Sequence, residues 1–163
     1  MRLGRLNFGE EIAAVSAVLL FVSMFFHWFG VEAHNTSNLL ILIKSVEPGK
    51  SAWEALDYIP IVLLTTIVVT LAATTLRLAG AVRNPSFLAN VAVPILGLVS
   101  TLLILFRIVD PPVFSVEPTV TIEGVVQWPI FLALAAAAGI AYGGCLTAQE
   151  QRTRRHARLA ADV

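Results

Sequence analysis

Apolar residues run almost without interruption through four stretches of the chain, at about 12–31, 59–79, 87–108 and 125–146. Each approaches the roughly 20 residues that a helix needs to cross a hydrocarbon core about 30 Å thick. The pattern predicts an all-α membrane protein, a four-transmembrane-helix bundle that makes one domain of residues 1–163. Polar outer loops are expected at 32–58 and 109–124, with a tight inner turn at Asn84-Pro85-Ser86 and a polar tail at 147–163.

Helix punctuation refines these limits. Asn7 with Glu10 three residues later makes a capping box at the start of the first span, and Glu10 and Glu11 complement its positive end. The first stretch also resembles a signal-peptide core, but its length favours retention as an anchor. It ends in Phe25, Phe26, Trp28 and Phe29, an aromatic group suited to a membrane interface, with His27 as a half-solvated member. Ser51 and Glu54 form a second capping box, so a short helix is expected after Ser51, and Asp57 is placed to cap a fresh helix at Pro60; the alternative is one helix kinked there. The third stretch carries Pro94 and Gly97, which predicts a kink near Pro94. Leu39–Ile43 reads as a strand or an interfacial segment, and Thr119–Ile122 alternates as a strand does. Paired, they would form a small extracytoplasmic β element from the two outer loops.

The formal net charge of zero conceals an asymmetry. Arg2, Arg5, Arg77, Arg83, Arg152, Arg154, Arg155 and Arg158 fall on one side of the expected spans. Lys44, Lys50 and Arg107 fall on the other, with most of the acidic residues. Excess Lys and Arg mark the cytoplasmic face, so both termini are expected inside and the arginines of the tail near anionic headgroups rather than on nucleic acid. Composition agrees with a multi-pass protein: 57% of residues are hydrophobic and 13% charged.

Candidate chemistry is sparse. No phosphate-cradling glycine loop, HExxH, CxxC or nucleophile elbow is present, so no enzymatic activity, cofactor or metal is expected. Cys145 stands alone and is expected as a small buried filler. Five residues remain as candidates for ligand or ion contact. Glu11 is a carboxylate near the start of a span, and His27 is a lone imidazole at the interface. Thr70 lies on the Thr66–Thr70–Thr74 face, where hydroxyls either line a path or join helices. Arg107 and Asp110 are spaced to pair at the outer end of the third span. The last span holds the strongest packing signal: Ala135, Gly139 and Gly143 recur every fourth residue, a spacing that lets backbones approach within this molecule or between two.

The FFHWFG exit, SAWEALDYIP before the second span, FRIVDPP after the third and the basic tail after an Ala/Gly-rich fourth together resemble the small four-span membrane proteins of unknown function common in actinobacteria. The resemblance covers most of the chain and implies a bacterial plasma membrane, but brings no catalytic residues with it. The expected role is therefore a non-enzymatic scaffold or accessory subunit, with the lipid bilayer and other membrane proteins or further copies of the chain as partners. The alternative is a small transporter or a lipid- or ligand-binding protein with a cavity near Arg107, Pro94 and Thr70.

Overall fold

The structure is a computed structural model that describes residues 7–30, 50–55, 58–79, 91–111, 113–117, 120–123 and 125–161. In chain order the elements are α1 (Phe8–Ser23), β1 (His27–Gly30), β2 (Lys50–Ser51), the one-turn α2 (Ala52–Ala55), α3 (Ile59–Leu78), α4 (Val93–Val109), β3 (Val113–Glu117), β4 (Val120–Glu123), β5 (Val125–Val126) and α5 (Pro129–Ala161). The fold is mostly helical. Helix contacts run from α3 to α1, α1 to α5, α5 to α4 and α4 back to α3, and the pairings of α5 with α1 and α4 are the most extensive.

Among the described residues two helices are long and apolar enough to cross a membrane, Ile59–Leu78 and Pro129–Thr153. Over the described residues the other two are shorter: α1 has 16 residues and α4 has 17, with residues 91–92 also helical before it. At 1.5 Å per residue they are about 24 and 26 Å long, below the roughly 30 Å of a hydrocarbon core.

The first helix stops at Ser23 rather than continuing to Val31, because its end is captured locally. The Ser23 hydroxyl donates to the Leu20 carbonyl at 2.7 Å, and the Trp28 indole N–H donates to the Ser23 carbonyl at 2.7 Å. This turn sends His27–Gly30 off as a strand, and Trp28 and Phe29 become fully buried instead of standing at an interface. Val125–Val126 likewise form a strand, so the last helix begins at Pro129, and it continues unbroken through the tail to Ala161.

Two small sheets accompany the helices. The first has the order β2-β1-β5, all antiparallel, with Phe29 opposite Lys50 and Val126; it brings together the expected end of the first span, the expected first outer loop and the expected start of the fourth span. The second is the β3–β4 hairpin, in which Phe114 faces Ile122. The expected strand near Thr119–Ile122 therefore has Val113–Glu117 as its described partner, while Leu39–Ile43 lies outside the described residues, as does the Asn84-Pro85-Ser86 turn.

Pro60 occupies the first turn of a fresh α3 whose N-cap is Tyr58, not Asp57. At Pro60 the missing proline N–H is one that the helix start leaves unpaired anyway. Pro94 comes just after a wide helical turn at 91–92, and the residues before that lie outside the described ones.

The helix interior mixes small and hydroxyl-bearing residues with large ones, while large apolar side chains also cover the outside. Inside lie Ala13, Ala17, Ala133, Ala137, Ser16, Thr66, Thr70 and Ser100, all buried, with Leu20, Leu63, Ile104 and Ile140 between them. Outside, α1 shows Val15, Val18 and Phe21, α4 shows Leu98, Leu102 and Leu105, and α5 shows Phe131 and Tyr142. Phe25 against Trp53 and Phe26 against Trp128 form exposed aromatic pairs at the end that carries the sheets.

Candidate functional site

Helical phase decides which of the two acids at the start of α1 turns inward. Glu10 shares a face with Ala13, Ala17 and Leu20 and is 8% exposed, whereas Glu11 shares one with Val15 and Val18 and faces out. The Asn7 N–H donates to Glu10 Oε2 at 3.2 Å, completing the reciprocal capping box. Arg77, in the last turn of α3, makes an ion pair through Nη1 with Glu10 Oε1, and both side chains are largely enclosed. Two helix ends are thereby joined by opposite charges, with the carboxylate at an N-terminus and the guanidinium at a C-terminus, which suits both helix dipoles.

The pair borders a cavity of about 20 Å³ between the helices, into which Thr70 and Thr74 of α3 and Thr147 of α5 also face. Ala13, Val93 and Gly144 supply its apolar wall. Each hydroxyl donates back along its own helix: Thr70 to the Thr66 carbonyl at 2.7 Å, Thr74 to Thr70 at 2.9 Å and Thr147 to Gly143 at 2.9 Å. Farther along the same face, Thr66 and Ser100 share a buried hydrogen bond at 2.8 Å that ties α3 to α4. The threonine face thus does two things: it joins helices at Thr66 and borders a small polar cavity at Thr70 and Thr74.

The expected candidates are not gathered in one place. Thr70 lines the cavity, but Arg107 lies 13 residues beyond Pro94 at the far end of α4, about 20 Å away along the helix. Among the described residues, the cavity at Thr70 is lined by neither Pro94 nor Arg107. Arg107 reaches the backbone carbonyl of Asp110 at 3.5 Å instead of its carboxylate, because Asp110 has left helical geometry at the C-cap and is exposed. Glu11 and His27 are both exposed. Cys145 is exposed as well, contrary to its expected role as a buried filler, since it lies one position off the face that carries Gly143 and Gly144. Among the described residues no three of His, Cys, Asp and Glu come together as a metal site.

The small-residue stripe is occupied within the chain. A side chain added at Gly143 would stand 2.5 Å from the Gly9 carbonyl oxygen and 2.8 Å from the Ala13 nitrogen, and one at Gly139 would strike the Ser16 hydroxyl. Ala135 takes no part and is exposed. A second close approach, unexpected from the stripe, joins α4 to α5: a side chain added at Gly97 would stand 2.6 Å from the Ala141 backbone nitrogen, and one at Gly144 would stand 2.9 Å from Pro94. α5 therefore presents small residues to two helices at once.

Sequence reasoning missed Glu10, Arg77 and Thr147 as partners in one site. The signal was present as phase: Thr70, Thr74 and Arg77 follow one another on a single face of α3, and Glu10 falls in step with the small residues of α1. Comparison with known protein families, with curated proteins and with solved structures finds no match to this chain.

Proposed function

We propose that this chain is an integral membrane protein whose four helices all cross the bilayer, with both termini cytoplasmic, and that it serves as a non-enzymatic accessory or scaffold subunit. The observation that carries the membrane reading is the row of large aliphatic and aromatic side chains left exposed on the helices, over helix contacts that use alanine, glycine, serine and threonine. Lipid accepts the former without penalty, and helices without a hydrophobic driving force associate through the latter. The exposed aromatic pairs at the sheet end match an interfacial belt. Helices of 16 and 17 residues are accommodated by local thinning of the bilayer or by flanking anchors.

The accessory role rests on where the apolar surface remains. The glycine contacts of α5 are internal, so a partner would meet the outward ridge of α4 at Leu98, Leu102 and Leu105. A photo-crosslinking residue at position 102, activated in native membranes, is expected to give one protein adduct of defined mass. Lipid adducts alone would contradict the subunit role while leaving the membrane reading intact. The small-transporter or ligand-binding alternative has one observation in its favour, the polar cavity at Thr70, Thr74 and the Glu10–Arg77 pair.

A further inference from the structure

We propose that the cavity beside the Glu10–Arg77 pair is a binding site for one ordered water molecule that fastens α3 to α1 and α5. Its size sets the first limit: about 20 Å³ within a half-open cleft is room for a single water between the helices. Its chemistry sets the second. Thr70, Thr74 and Thr147 each spend their one hydroxyl proton on a carbonyl of their own helix, so toward the cavity they offer only lone pairs.

Glu10 adds acceptor capacity, since each of its oxygens has a partner, Arg77 on one and the Asn7 N–H on the other, yet keeps a further lone pair. On a wall that is otherwise mostly apolar, the threonine hydroxyls and Glu10 are the side-chain acceptors and the guanidinium of Arg77 is a donor. A molecule that donates two hydrogen bonds and accepts one or two meets this set, and water does so with the two to four partners that a buried water requires. A monovalent cation meets the oxygen atoms equally well but lies against the Arg77 charge, while the ion pair leaves no net negative charge to hold it. Ordered water is also a known means of satisfying polar groups between membrane helices.

The consequence is mechanical. α3 has the least extensive helix contacts of the four, and the cavity sits between it and its neighbours. Water held by Thr74 on α3 and Thr147 on α5 would link these two helices at the cavity.

The test uses the full chain in detergent micelles with labelled threonine methyl groups. Water-to-methyl magnetisation transfer is expected at Thr70, Thr74 and Thr147 and not at Thr66, whose hydroxyl is turned to Ser100. Thr74→Val and Thr147→Val are each expected to lower Tm by more than Thr75→Val, an exposed threonine with the same type of bond to its own helix. The double variant should fall by less than the sum of the two single losses, because both lose the same water. Absence of transfer at all three methyl groups, or strictly additive losses of Tm, would overturn the proposal. A saturable rise in Tm with sodium or ammonium chloride over choline chloride would also overturn it, and would assign the cavity to a cation.

Discussion

At the scale of single residues, the Glu10–Arg77 pair is the point where charge and burial meet. Removing one member strands the other in a poorly solvated place, whereas replacing both with apolar residues relieves the problem. Glu10→Gln keeps a side chain able to close the capping box, so its effect isolates the lost charge. Glu10→Gln or Arg77→Gln is expected to lower unfolding free energy in detergent by about 3 kcal/mol. The double replacement Glu10→Leu with Arg77→Leu should recover most of that loss in the same denaturation assay. A loss in the double variant equal to the sum of the two single losses would mean that the two side chains act separately. Neither residue was read from the sequence as a partner of the other. Glu10 was visible as a capping acid and Arg77 as a cytoplasmic cation, and local rules for each were satisfied without the 67-residue separation between them being bridged.

At the scale of elements, α5 is the helix on which the others depend. Its Gly139 and Gly143 approach α1, and its Ala141 and Gly144 approach α4. What each glycine faces ranks the expected damage. Gly143→Ala meets backbone atoms of Gly9 and Ala13, which do not yield, and is expected to destabilise by about 1–3 kcal/mol or to block folding. Gly139→Ala meets the Ser16 hydroxyl, which is able to rotate away, so a smaller loss is expected. Ala135→Leu adds bulk at an exposed position and should leave Tm unchanged. Thermal unfolding of the three variants in one detergent checks the order, and a loss for Ala135→Leu equal to that for Gly143→Ala would contradict it. The stripe itself was legible because small residues at every fourth position have one physical reading. Its limits and its second face were not, since an Ala at 135 and a Gly at 139 look alike until the crossing point of the helices is known. The same reasoning explains the ends of α1 and α5. Apolar residues at 24–31 and 125–128 carry the hydropathy of a span, but the strand pairing of Phe29 with Val126 and the indole bond of Trp28 to Ser23 arise only in the folded chain.

At the scale of the whole molecule, the central claim is that all four helices cross the bilayer, although two alone are long enough by themselves. The asymmetry of arginine and the outward aliphatic faces argue for it, and the modest lengths of α1 and α4 make it open to direct contradiction. Single cysteines at Phe8, Tyr58, Ala79, Asp110 and Thr153, all exposed and each next to a helix end or, for Thr153, at the end of the apolar stretch, report every crossing in a Cys145→Ser background. Labelled in intact cells with a membrane-impermeant maleimide, the cysteines at 58 and 110 are expected to react at once. Those at 8, 79 and 153 should react only after the membrane is opened. Reaction of positions 79 and 110 from the same side would mean that α4 does not cross, and reaction of positions 8 and 58 from the same side would mean the same of α1; either result contradicts the four-span account.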